Sequence, residues 1–146
     1  MLRLIIVDDE KIIRETIHHL INWNSLGVEV VGVCKNGLEA YDAIIDEYPD
    51  IVLTDIKMPG LSGLELIEKL KQTHEQIHFI ILSGYEEFDY AKQAMRYGVR
   101  HYLLKPCNEH QIIAAVTETV KEIHSSKKDL STTETCLLYT SDAADD

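Results

Sequence analysis

Five short apolar runs, each followed by a stretch of helical periodicity, leave this chain few ways to fold. The runs are Leu2 to Val7, Val28 to Cys34, Ile51 to Thr54, His78 to Leu82 and Tyr102 to Leu104. They are short, β-branched and bounded by polar or turn residues, as buried strands are. After the first, Ile12, Ile13, Thr16, Ile17, Leu20 and Ile21 read as one face of a helix from Glu10 to about Asn22. Asn24-Ser25-Leu26-Gly27 then reads as a turn. After the second, Asn36-Gly37 opens a helix with Leu38, Tyr41, Ile44, Ile45 and Tyr48 expected inward. Ser62-Gly63-Leu64-Glu65 is a capping-box pattern for a third helix, with Leu66, Ile67 and Leu70 on its inner side. Glu86 to about Tyr97 reads as a fourth helix. Asn108-Glu109-His110-Gln111 caps a fifth, with Ile112, Ile113, Val116, Val120 and Ile123 toward the core. Five βα units in strict alternation mean an α/β fold, with a parallel sheet, helices on both faces and right-handed crossovers.

A parallel sheet puts the carboxyl ends of its strands on one rim, where open α/β sheets place ligands. Here those ends deliver Asp8 and Asp9, Asp55, Ser83 and Lys105. Met58-Pro59-Gly60 forces a loop directly after Asp55. The first, third and fourth strands are expected inside the sheet, so Asp8, Asp9, Asp55 and Ser83 should converge. Two carboxylates at ~4 Å repel by roughly 1 kcal/mol in bulk water and about 4 kcal/mol at an effective dielectric near 20. Either their pKa values rise or a cation sits among them. Oxygen ligands without Cys or His favour a hard ion, and Mg2+ takes a few carboxylates together with a phosphoryl oxygen. Lys105 adds a compact positive charge and Ser83 a hydroxyl donor. The chemistry that fits is phosphoryl transfer onto a carboxylate, which needs mainly positioning and charge neutralisation.

Taken singly, each residue has a plainer explanation. Asp9 could be a helix N-cap, Ser83 a turn residue and Lys105 a solvated strand end. Tyr102 could be a core aromatic. Tyr85, Phe88 and Tyr90 read as packing or interface residues. The seven histidines are scattered without zinc spacing. Cys34, Cys107 and Cys136 form an odd set without metal spacing and are expected as reduced thiols.

Four stretches carry a resemblance: Val7-Asp8-Asp9-Glu10, Thr54 to Gly63, Leu82-Ser83-Gly84-Tyr85 and Tyr102-Leu103-Leu104-Lys105-Pro106. Over about Leu2 to Ile123 the chain resembles a receiver domain of a two-component response regulator. That resemblance implies a flavodoxin-like, doubly wound (βα)5 three-layer sandwich with sheet order 2-1-3-4-5. It implies Asp55 as acceptor of a phosphoryl group from a histidine kinase. It implies Mg2+ held by Asp8, Asp9, Asp55 and the backbone carbonyl of Lys57. Ser83 and Lys105 would contact the phosphoryl group, Tyr102 would be a switch aromatic, and the Lys105-Pro106 bond would be cis. The chain would be a phosphoacceptor rather than an enzyme. Phosphorylation would favour a homodimer through the fourth helix, fifth strand and fifth helix.

Trp23 to Gly27, Leu82 to Ala91 and Tyr102 to Cys107 narrow the resemblance to receivers fused to AraC-type helix-turn-helix domains. No such DNA-binding domain lies in these residues, so control of transcription would act through an output domain beyond them. Two alternatives from other classes remain. One is a stand-alone receiver in a phosphorelay or protein contact. The other is a Mg2+-dependent phosphatase with an Asp nucleophile, which needs a second acid where Lys57 stands. A dinucleotide enzyme is disfavoured, because Asp8-Asp9-Glu10 replaces a Gly-rich phosphate loop.

Charge and organisation agree with this. The 146 residues carry a net charge of −11; from Ser131 onward there are four acids and no base, so the preceding residues carry −7. Such a chain is a poor direct binder of nucleic acid, whose affinity rests on neutralising phosphates. No apolar run is long enough to cross a bilayer. The early acids leave no signal peptide, so a cytoplasmic site is expected. Residues 1–124 read as the receiver and 125–134 as the start of a linker, from Ser125-Ser126-Lys127-Lys128. Residues 135–146 have neither amphipathic period nor turn logic. They resemble the in-frame translation of a transposase-derived sequencing adapter, and are expected to be a disordered, non-native tail.

Overall fold

A computed structural model describes residues 1–58, 60–74, 76–84, 88–105 and 107–135, with residues 88, 91 and 126–135 given by backbone alone. The sequence expectations at Pro59, Tyr85, Glu86, Pro106 and residues 136–146 lie outside them. These include the cis bond at Lys105-Pro106, the start of the fourth helix, Cys136 and nearly all of the tail.

The five strands are β1 (Leu2–Val7), β2 (Val28–Cys34), β3 (Ile51–Asp55), β4 (His78–Ser83) and β5 (His101–Leu104). All pair in parallel, in the order β2-β1-β3-β4-β5. Every residue of β3 is buried, and β1 and β4 nearly so, because helices cover both faces. The edge strands β2 and β5 are mostly half-buried. The register of β1 on β2 shifts between Leu4 and Ile5, which brings Gly32 opposite Ile5.

The helices are α1 (Lys11–Leu20), α2 (Gly37–Glu47), α3 (Gly63–Lys71), α4 (Phe88–Arg96) and α5 (Glu109–Thr135). Their starts follow local chemistry. Asn36 caps α2 by accepting from the Glu39 N–H, and Ser62 with Glu65 closes a full capping box on α3. Asn108 and Gln111 bond reciprocally at the start of α5, each side chain accepting from the other's backbone N–H. Trp23–Leu26 is a short 3-10 helix, ended by Gly27 at φ 77°.

Two apolar layers result, one on each face of the sheet. Ile5, Val7, Val52 and Ile81 pack with Ile44, Leu66 and Ile67 on the α2–α4 side. Leu4, Ile6, Leu53 and Ile80 pack with Ile17, Ile112 and Val116 on the α1–α5 side.

Two expectations need correction. Helix α1 is shorter than the periodic stretch, and Ile12 and Leu20 point outward at 80% and 56% exposure. Only Ile13, Ile17 and Ile21, four apart, turn to the sheet. In α2, Leu38 and Tyr48 are exposed, and the buried face is Gly37, Ala40 and Ile44. Tyr48 takes a left-handed turn at φ 49°, caps α2 through its N–H to the Ile44 carbonyl, and lays its ring near His74. The backbone of α5 is helical across Ser125 to Lys128, and the expectation that a linker begins there stands beside this. No Gly or Pro stands there to stop it, and a helical stretch connects as well as an irregular one.

Candidate functional site

The rim at the carboxyl ends of β1, β3 and β5 gathers three acids and one lysine. Oxygens of Asp8, Asp9 and Asp55 lie within 4.8 Å of one another. Among the described residues this is the one such acidic, His or Cys group. Asp8 and Asp55 are buried and Asp9 is exposed. The Lys105 Nζ stands 3.1 Å from Asp8 Oδ2 and 3.1 Å from Asp55 Oδ2.

The backbone holds each of these in place. Asp8 donates its N–H to the Cys34 carbonyl, and its Oδ1 accepts from the Glu10 N–H. Asp9 is therefore no side-chain cap for α1, whose N-cap residue is Glu10. The Asp8 carbonyl accepts from Arg14 Nη1 at 2.9 Å. The Lys105 N–H bonds the Ser83 carbonyl at 2.7 Å, which ties β5 to β4 at the rim.

Two glycines set the loop after Asp55. A Cβ on Gly63 would lie 2.3 Å from the Asp55 carbonyl oxygen, and one on Gly37 would lie 2.0 Å from the Leu61 carbonyl oxygen. The Gly63 N–H in turn bonds the Ile56 carbonyl at 2.9 Å. Gly63→Ala is expected to destabilise the domain by about 3 kcal/mol, because the clash is with backbone that supports Asp55. Gly84→Ala, whose Cβ meets nothing within 4 Å, serves as the neutral control in the same urea unfolding series. Equal midpoints for the two variants would refute this account of Gly63.

Electrostatics follow from burial. Desolvation pushes the Asp8 pKa above its ordinary value, with Asp9 adding to the rise. The Glu10 N–H and the Lys105 charge pull it back in part. Burial would lower the Lys105 pKa, but Asp55 and Asp8 outweigh it, so the ammonium is held charged. Three carboxylates against one ammonium leave about two negative charges unbalanced when all are ionised. The Asp8 Oδ2 is buried and ion-paired with Lys105 at 3.1 Å. Hard oxygen donors and a residual charge of two fit a divalent cation of the Mg2+ type.

Ser83 lies at the same rim, fully buried, and its Oγ has no hydrogen-bond partner among the described residues. Such a buried hydroxyl is costly unless something else engages it. Lys57 is exposed, two residues past Asp55 in the loop. Tyr102 is half-buried on β5 and packs against the α2–α4 layer; its hydroxyl is buried without a partner among the described residues. Sequence reasoning overlooked Arg14, and read Gly37 only as the opening of a helix. Arg14 lies four residues after Glu10 and so returns to the rim on the next helical turn. Cys34 and Cys107 are free thiols whose pKa values burial raises, Cys34 to about 11, which suits inert packing.

A parallel five-strand sheet with this acidic rim defines a class, and comparison with known families agrees. The chain belongs to the family described as response regulator receiver domain, whose profile matches residues 4–117. Among curated relatives it is 50% identical over 123 residues to the uncharacterized transcriptional regulatory protein YesN of Bacillus subtilis (strain 168), covering 84% of this chain and 33% of that one. It is 34% identical over 123 residues to the transcriptional regulatory protein HptR of Staphylococcus aureus (strain NCTC 8325 / PS 47), covering 84% of this chain and 48% of that one. The chain thus spans a third to a half of these relatives. Among solved structures, the receiver (REC) domain of AraT, a response regulator from Geobacillus stearothermophilus, superposes with a TM-score of 0.77 at 35% identity, covering 84% of this chain and 98% of that one. A two component transcriptional regulator AraC from Clostridium phytofermentans ISDg gives 0.81 at 28% identity, covering 87% and 98%.

Proposed function

We propose that this chain is the phosphoacceptor receiver of a two-component response regulator, with Asp55 as the acceptor. The observation that carries the reading is Lys105 Nζ, 3.1 Å from both Asp8 and Asp55, beside the triad they form with Asp9. A carboxylate oxygen of Asp55 attacks the phosphorus of a histidine kinase's phosphohistidine. The phosphorus–nitrogen bond breaks, and the freed imidazole takes up a proton from solvent. Lys105 pairs with the transferred group's oxygens, and the buried Ser83 hydroxyl donates to one of them. Asp8, Asp9, Asp55 and the Lys57 carbonyl would hold Mg2+, which would supply charge neutralisation for the phosphoryl oxygens. The test is incubation with acetyl phosphate, with and without Mg2+, followed by intact mass and peptide mapping. A gain mapped to Asp55 and abolished by chelator is expected; a gain elsewhere refutes the assignment.

Ser83 drawn toward new oxygens vacates space beside it, and Tyr102 moves to fill it. That repacks the face of α4, β5 and α5, where Tyr90 and Met95 of α4 are already exposed. The phosphorylated form is expected to dimerise through this face. Sedimentation at micromolar concentration with beryllofluoride and Mg2+ should show a dimer; a monomer under both conditions would count against it.

The relatives' names and their greater length support control of transcription through an output domain outside these residues. No described helix is long and apolar enough to cross a membrane.

A further inference from the structure

Helix α5 meets the sheet through an apolar contact at Ile123 and a polar one at Glu122. Ile123 is the last buried residue whose side chain is described. Beside it, Glu122 Oε2 lies 3.2 Å from His101 Nε2, with side-chain exposures of 26% and 19%. A carboxylate only accepts, so the ring nitrogen donates. The other oxygen of Glu122 is buried without a hydrogen-bond partner among the described residues. A cavity of about 220 Å³ opens beside the pair, lined also by Lys71, His78 and Arg100. His78 and His101 begin their strands, so this contact sits at the end of the sheet opposite Asp55. Nothing in the phosphoryl chemistry uses it.

Its place in the chain gives it a use. His101 and Tyr102 are consecutive on β5, and consecutive strand side chains point to opposite faces. Tyr102 packs into the α2–α4 layer, while Leu103 belongs to the α1–α5 layer. His101 reaches Glu122 on that second face. A displacement of β5 driven by Tyr102 on one side must therefore move His101 on the other. Beyond Ile123 the helical backbone runs to Thr135, roughly 18 Å at the usual rise per residue. A tilt of about 10° at its base shifts the far end by roughly 3 Å.

We propose that the His101–Glu122 pair is a clasp through which rearrangement of β5 sets the angle of α5. The inference rests on the phosphoacceptor reading of Asp55 and names how that site's state leaves the domain. His101 and Glu122 are positioning residues, and the readout is the response to a phosphoryl mimic rather than stability. Hydrogen exchange of the α5 amides is measured on the whole chain with and without beryllofluoride and Mg2+. It is repeated for Glu122→Gln, His101→Gln and the double variant, with acetyl phosphate labelling measured in parallel. The unaltered chain is expected to change α5 exchange by about threefold or more, and each variant to lose at least about half of that response. The double variant should lose no more than either single one, and labelling should stay within about twofold of the unaltered chain. A full response in the variants overturns the clasp alone. So does an unaltered chain that is labelled and binds beryllofluoride without a change in α5. A chain that takes up neither phosphoryl group nor mimic overturns the acceptor reading and the clasp with it.

Discussion

Asp55→Asn eliminates phosphoryl uptake from acetyl phosphate, while the folded sheet survives. The amide is a poor nucleophile and cannot form the acyl phosphate, so the loss is complete rather than graded. The fold survives because Asn has the shape of Asp, and because the change removes one charge from a crowded group. The neighbouring Asp8 carboxylate is fully buried and already titrates high. Burial is the first cause of that rise and Asp9 the like charge that adds to it. Losing the Asp55 charge relieves repulsion within the triad, about 4 kcal/mol for a pair at ~4 Å and an effective dielectric near 20. Part of this gain is lost again, since Lys105 gives up one of its two partners. Intact mass and a thermal melt on the same sample check both halves. A mass gain that survives the substitution removes Asp55 from the centre of the account.

Lys105→Met should split two properties that normally travel together. Phosphorylation by acetyl phosphate is expected to slow by about a hundredfold, because a charge aimed at the developing phosphoryl oxygens is lost. Mg2+ affinity is expected to rise by about tenfold, because the ammonium shares Asp8 and Asp55 with any cation bound there. Titration calorimetry measures the second effect without reference to the first. Weaker Mg2+ binding in the variant would show that Lys105 helps to build the metal site instead of competing with it. The direction of the Lys105 pKa sets the pH range. Its folded value is raised, so its stabilising contribution is complete below the unfolded value and is lost as pH rises through the folded one. The contrast between the unaltered chain and the Lys105→Met variant should therefore hold across neutral pH.

Strand ends were the most legible part of this chain. Asp8, Asp55, Ser83 and Lys105 each stand where an apolar run stops, and parallel pairing brings such stops to one rim. The helix starts at Asn36, Ser62 and Asn108 were also legible, because capping is a local exchange of hydrogen bonds. The inward faces were less so. In α2 the chain turns Gly37 and Ala40 to the sheet and leaves Leu38 out. Close approach to the Leu61 backbone selects small residues there, and a reading weighted by hydrophobicity passes over them. In α1 the apolar positions span more arc than the sheet can cover, so Ile12 and Leu20 are left outside. Lys105 bridging two of the three acids was not legible either, since it depends on how far one flexible side chain reaches across β4.

The sheet divides the interior into two layers that touch only through the strands. Substitutions in one layer should therefore leave the other's energetics almost untouched, and paired changes such as Ile44→Val with Ile112→Val should add. The strands are the shared hinge between two otherwise separate lineages of contact.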